Sequence, residues 1–307
     1  MTKLAVEFAG IKAKNPVFTA SGTCGFGREL NEIFPIDKLG GMMLKGTTLQ
    51  PRLGNPTPRV AEAPSGVINC VGLQNPGLQN VLEQQLPWVL QHDLAVLQNI
   101  AGSEPAEYAE LAAALDKVPG LAGLEVNISC PNVRAGGMAH GADPKLAAAV
   151  VSAVREATKL PVVVKLTPNV TDIGEIAKAV EAAGADAVSL VNTFLSMVID
   201  VKRRRPLLGN VMGGLSGPAI RPIAVRMVWQ VRQSVKIPII GMGGIETGED
   251  ALQFMMAGAS AVAVAAATMV NPLAPLHIID ELAAWLEQEG VTDINEIIGA
   301  AQPRDLQ

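Results

Sequence analysis

The run Gly123-Leu124-Glu125-Val126-Asn127-Ile128-Ser129-Cys130-Pro131-Asn132 takes a short apolar, β-branched stretch into two asparagines and a cysteine, and glycines follow at 136, 137 and 141. A buried strand of this kind delivers a thiol and two uncharged amides to one point. The thiol there offers a proton-transfer group or a nucleophile, and the amides both donate and accept hydrogen bonds. The cysteine equally suits a bland reading, a small hydrophobe packed in a core, and this stretch alone leaves both open. Two lysines, Lys45 and Lys165, each close an apolar run. Lysine is rarely buried without a partner, so such a pair points to an anion or an electron-rich ligand. Gly243-Gly244-Ile245 precedes a helical segment. Its backbone N–H groups can approach a phosphate closely, although a simple tight turn has the same composition.

The elements that must position these groups follow a repeating pattern. Residues 3–13 alternate around Ala9-Gly10 and read as a small hairpin. Eight short apolar runs then read as strands: Val17–Ala20, Gly41–Leu44, Leu94–Leu97, Leu124–Ile128, Val162–Val164, Ala187–Leu190, Ile239–Met242 and Ala261–Val264. Between them lie segments with helical spacing. Residues 77–91 are one, with Pro87 expected to kink or break it. Asp143-Pro144 reads as an N-cap followed by proline at the first helical position, opening a helix to about Thr158. Gly184, Gly258 and Gly290 close three others. Two long excursions, through Pro51–Gly77 and through residues 194–218, read as functional loops.

Alternating strands and helices predict a parallel sheet, and a count of eight favours closure into an α/β (β/α)8 TIM barrel over residues 1–307 as one domain, with its long loops at the C-terminal face of the strands. The alternative is an open doubly wound sheet, which would want a dinucleotide fingerprint after the first strand. Ser21-Gly22-Thr23-Cys24-Gly25 does not match one. Barrel enzymes place their chemistry at the C-terminal strand ends, and here those ends hold Ser21, Lys45, Asn99, Asn127, Lys165, Asn192 and Gly243-Gly244.

Composition narrows the classes. The 307 residues are 49% hydrophobic, 17% charged and 3% aromatic, with a formal net charge of −5. An aliphatic core suits strands buried on both faces, and no basic face points to nucleic acid. The longest apolar run, Ala261–Val270, is too short to span a bilayer, and the first residues lack the apolar core of a secretory signal. The expected location is cytoplasmic. Three cysteines (Cys24, Cys70, Cys130) form no disulfide framework and cannot supply the four thiolates of an ordinary iron–sulfur cluster. His92, His140 and His277 have no metal-ligand spacing, so no metal is expected. Lys202-Arg203-Arg204-Arg205 reads as a solvated or interface segment.

Seven ordered motifs now carry a resemblance. They are Thr19-Ala20-Ser21-Gly22, Lys45-Gly46-Thr47-Thr48, Asn69-Cys70-Val71-Gly72-Leu73-Gln74-Asn75-Pro76-Gly77, Asn127-Ile128-Ser129-Cys130-Pro131-Asn132, Val191-Asn192-Thr193, Gly213-Gly214-Leu215-Ser216-Gly217 and Gly243-Gly244-Ile245. Across nearly its whole length the chain resembles the class 1 dihydroorotate dehydrogenases, most closely the B-type catalytic subunit. The resemblance implies an FMN enzyme of pyrimidine biosynthesis that oxidises dihydroorotate to orotate. It implies FMN contacts at Ser21, Lys45, Gly46, Asn99, Asn127, Lys165, Val191, Gly217, Gly243 and Gly244, and at Ala265 and Ala266, where the family usually has Gly-Thr. It implies substrate contacts at Lys45, Asn69, Cys70, Val71, Gly72, Leu73, Asn127, Asn132, Asn192 and Thr193, with Cys130 as the base and Lys45 beside it in the catalytic set. Thr268 is a candidate to replace the missing threonine hydroxyl. The B-type likeness further implies a homodimer flanked by two partner subunits that carry FAD and a [2Fe-2S] cluster and pass electrons to NAD. Other readings are an A-type homodimer reducing fumarate, a flavin-free phosphate-binding lyase or isomerase, and a non-catalytic binding subunit.

Overall fold

A computed structural model describes residues 2–129 and 140–303. Cys130 and Asn132 lie outside the described residues. Strands are numbered along the chain. β1 (Val6–Phe8) and β2 (Ile11–Ala13) open it; β3 (Val17–Thr19) and β4 (Gly41–Met43) begin the barrel; β5 (Val60–Ala63) and β6 (Gly66–Asn69) leave it. β7 (Ala95–Ile100), β8 (Gly123–Asn127), β9 (Val162–Lys165) and β10 (Ala187–Leu190) continue the barrel. β11 (Phe194–Ser196), β12 (Ile199–Asp200), β13 (Arg205–Pro206) and β14 (Gly213–Ser216) leave it again, and β15 (Ile239–Met242) and β16 (Ala261–Val264) complete it.

The eight expected strands form a closed parallel barrel, β3-β4-β7-β8-β9-β10-β15-β16, in which β16 returns to pair with β3. Their sequences explain the closure. Runs such as Val162-Val163-Val164 and Ala261-Val262-Ala263-Val264 are apolar at successive positions and fully buried. One side of each strand fills the barrel while the other packs on helices. Asp143 caps the helix Pro144–Ala157 by accepting from the N–H groups of Lys145 and Leu146. Gly290, at φ 68°, ends the helix Ala274–Glu289 in the left-handed conformation that suits glycine. The β1–β2 hairpin turns at Ala9-Gly10 and sets Phe8 edge-on to Phe18, ring centroids 5.8 Å apart. No helix among the described residues is long and apolar enough to cross a membrane.

Two local expectations change and one takes a specific form. At Pro87 the helical path is interrupted without ending: a π-helical turn, Val81–Gln85, joins Leu78–Asn80 to Leu86–Val89. The wider turn makes room for the proline ring and its missing N–H. β7 runs past Leu97 to Ile100, because Gln98 and Asn99 find buried hydrogen-bond partners instead of water. The two excursions are not merely loops. β5 and β6 from the first pair with β14 and β11 from the second in a four-stranded antiparallel sheet, ordered β11-β14-β6-β5. Lys202–Arg205 is exposed in and beside the turn between β12 and β13, where Asp200 accepts from the N–H groups of Lys202 and Arg203.

Candidate active site

A cavity of about 640 Å³ opens at the C-terminal ends of the barrel strands, beneath the antiparallel sheet. Its wall gathers Ser21, Lys45, Gly46, Asn99, Asn127, Lys165, Val191, Gly217, Gly243, Gly244 and Ala265 from the barrel side. Asn69, Cys70, Val71, Gly72 and Leu73 line it from the first excursion, and Asn192 and Thr193 from the end of β10. Ala266 is not on this wall. A larger hollow of about 730 Å³ lies at the other end of the barrel, beside the N-terminal hairpin, and none of the expected residues line it.

The floor of the cavity is polar and closed to water. Glu125, in the middle of β8, has no exposed surface. Its Oε2 accepts from Ser21 Oγ at 2.8 Å and from Asn99 Nδ2 at 2.6 Å; its Oε1 accepts from Ser189 Oγ at 2.8 Å. Lys165 Nζ lies 3.9 Å from Oε1 and donates to Ser21 Oγ at 3.2 Å. Gln98 steadies the neighbouring strand end by donating from Nε2 to the carbonyls of Lys45 and Asn99, at 2.9 and 2.7 Å. Lys45 itself has no ion-pair partner among the described residues. Burial holds its ammonium group below the usual lysine value, because removal from water disfavours the charged form.

The amides have fixed polarities. Asn127 Oδ1 accepts from Ser129 N at 3.1 Å, and Asn192 Nδ2 donates to Ser129 Oγ at 3.0 Å. Tyr108, on the helix Pro105–Leu115, donates its hydroxyl to the Asn127 carbonyl at 2.8 Å. The backbone that leads into Cys130 is therefore pinned on both sides, and Asn127 keeps its NH2 group for a ligand. Asn69 Nδ2 donates to the Gly214 carbonyl at 3.2 Å, which leaves its Oδ1 as an acceptor.

At the other end of the cavity Gly243 and Gly244 have φ of 128° and 77°. A Cβ at Gly244 would stand 2.6 Å from the Gly217 carbonyl oxygen, so only glycine fits the turn as built. Thr247 caps the helix that follows by accepting from Asp250 N, and Asp250 accepts in return from Thr247 N and pairs with Arg221 at 2.7 Å. Gly22, also on the wall and at φ 104°, has open space where a side chain would be. Thr268 does not turn its hydroxyl proton outward: Oγ1 donates to the Ala265 carbonyl at 2.8 Å.

Glu125, Ser189 and Tyr108 escaped the reading of the sequence as functional groups. A signal existed for the first: an acid at the centre of a strand buried on both faces needs several donors around it. Ser189 and Tyr108 carry no comparable mark, since serine and tyrosine occur freely in barrel strands and helices.

Comparison with known proteins places these features in a family. The dihydroorotate dehydrogenase family model matches residues 3–286. The chain is 58% identical over 299 residues to the catalytic subunit of dihydroorotate dehydrogenase B (NAD(+)) of Desulforudis audaxviator (strain MP104C), with 97% of each chain covered. It is 53% identical to the protein of the same description from Geobacillus sp. (strain WCH70), covering 97% of this chain and 96% of that one. The likeness to the Desulforamulus reducens protein is 54%, covering 97% and 98%.

Proposed function

Since the chain belongs to the dihydroorotate dehydrogenase family, we propose that it oxidises (S)-dihydroorotate to orotate for pyrimidine synthesis, with Cys130 as base and FMN as hydride acceptor. The observation that carries the reading is one cavity at the catalytic end of the barrel, lined by two lysines and by amides of both polarities beneath a roof of antiparallel strands. The residues fit FMN. The glycine pair at positive φ offers backbone donors to a phosphate, Gly22 leaves room on the wall, and Lys165 brings a buried amine to the floor. When bound, FMN supplies an acceptor at N5 for the hydride that leaves C6 of the substrate.

The protein's own groups do the rest. Cys130, as thiolate, takes the proton from C5, so that the C5–C6 single bond becomes a double bond as the hydride departs. Lys45 balances the substrate carboxylate. Asn69, through its free Oδ1, accepts from a ring N–H, while the NH2 of Asn127 donates to a ring carbonyl. The roof excludes water from the reacting carbons. Electrons leave through a partner subunit with FAD and a [2Fe-2S] cluster to NAD, as the NAD(+)-linked names of the relatives suggest. The catalytic chain forms a homodimer within that assembly.

The test is the visible spectrum of the purified chain before and after anaerobic addition of dihydroorotate. A yellow protein whose flavin band bleaches supports the reading. A yellow protein that does not bleach in the complete complex with its partner removes dihydroorotate as substrate. A protein that remains colourless after addition of FMN overturns the cofactor assignment.

A further inference from the structure

Building on the FMN reading, the geometry assigns a role to a group the reaction itself does not use. We propose that Glu125 is a positioning residue that sets the hydrogen-bonding polarity of the cavity floor. An ionised carboxylate only accepts hydrogen bonds. With both oxygens committed inside a fully buried site, Glu125 dictates how each neighbour is turned. Asn99 must present Nδ2 inward to Oε2, so its Oδ1 faces away, where a Cβ added to Gly46 would lie 2.7 Å from it. Ser21 gives its proton to Glu125 and keeps only acceptor capacity, which it uses on Lys165 Nζ. Lys165 is thus held between a hydroxyl oxygen and the carboxylate, with a limited set of orientations for its remaining protons. The cavity consequently offers an acceptor at Asn99 and a directed amine at Lys165, and a ligand edge that meets them must carry an N–H opposite the first and an electron-rich atom opposite the second. Ser189 supports the arrangement from behind. It bonds the other carboxylate oxygen and is not on the cavity wall.

The substitution that tests this is Glu125→Gln, which keeps volume but introduces an NH2 group, so the floor can no longer be all-acceptor at this point. Holoenzyme is diluted and FMN release followed by free-flavin fluorescence, beside the flavin absorption band and steady-state kinetics with dihydroorotate. The expected result is an FMN dissociation constant raised about 10-fold or more, since bonds to a buried charged group are lost. A displaced visible band and a kcat that falls while KM stays within about 2-fold should accompany it. A folded E125Q protein with unchanged FMN affinity, band and kcat overturns the proposal, whatever its thermal stability. If E125Q does not fold, Ser189→Ala is read in the same way: FMN affinity about 3-fold weaker supports the proposal, and unchanged affinity and band overturn it. Wild-type protein that takes up no FMN overturns the cofactor reading and this inference together; tight wild-type binding with an indifferent variant overturns this inference alone.

Discussion

The roles proposed for Lys45 and Cys130 divide the work on the substrate between charge and proton transfer, and each would leave a separate kinetic trace. Burial lowers the Lys45 ammonium below its usual 10.5. In the proposed role the charged form binds the substrate carboxylate, so binding would be complete at low pH and lost as pH rises through that lowered value. A bound anion favours the charged form, which confines the effect to the free enzyme. The expected outcome is a fall in kcat/KM on the alkaline side, beginning below 10.5, with kcat itself flat over the same interval. A limb centred at or above 10.5 would remove Lys45 from this role. For Cys130, replacement by Ala is expected to slow flavin reduction by dihydroorotate about 10²-fold, measured by anaerobic stopped flow. A near-normal rate would assign the proton to another group.

The elements show which parts of the molecule write themselves into sequence. Barrel strands are legible because eight apolar runs recur between helical segments, and Asp143-Pro144 and Gly290 mark helix ends by their own chemistry. The roof is not legible. β6 and β14 are short, glycine-containing segments whose partners lie far away in the chain, so neither has a local pattern that says strand. Glu125 and Ser189 were hidden for a related reason, since their partners come from other strands. A further long-range tie joins the two ends of the described chain. Lys3 exchanges backbone hydrogen bonds with Thr292 and Ile294, and its Nζ meets Asp293 at 2.6 Å. Asp293 also caps the turn Ile294–Ile297 by accepting from Asn295 N, and its carboxyl is held at about 2 by Lys3 and that N–H. Lys3 is 59% exposed, so the ion pair itself contributes little. Asp293→Ala is expected to cost about 1 kcal/mol in urea unfolding, chiefly through the lost cap. The folded-state value lies below the ordinary 3.8, so the ionised carboxyl stabilises fully above that value and the stabilisation fades as pH falls through about 2. The gap between wild type and variant should therefore narrow over that interval and stay constant from pH 5 to 8.

At the scale of the whole molecule, the cavity proposed to take the substrate belongs to a chain whose relatives are named as catalytic subunits of an NAD(+)-linked enzyme. The expected behaviour under the proposed function follows: the chain alone loses its flavin colour with dihydroorotate but does not reduce NAD, and NADH formation appears when the partner subunit, proposed to carry FAD and an iron–sulfur cluster, is added. NADH production by the chain alone would refute the division of labour. The roof has a consequence of another kind. β6 meets β14 through pairs such as Val67 with Ser216, residues 149 positions apart, and four of the eight barrel strands, β7 to β10, lie in the chain between them. Closing so long a loop is entropically costly until the intervening strands have brought its ends together. The roof is therefore expected to pair after the barrel strands that bring its ends together. The same order run backwards predicts faster amide hydrogen exchange in β6 and β14 than in the eight barrel strands; equal protection of roof and barrel would show that the two open as one unit.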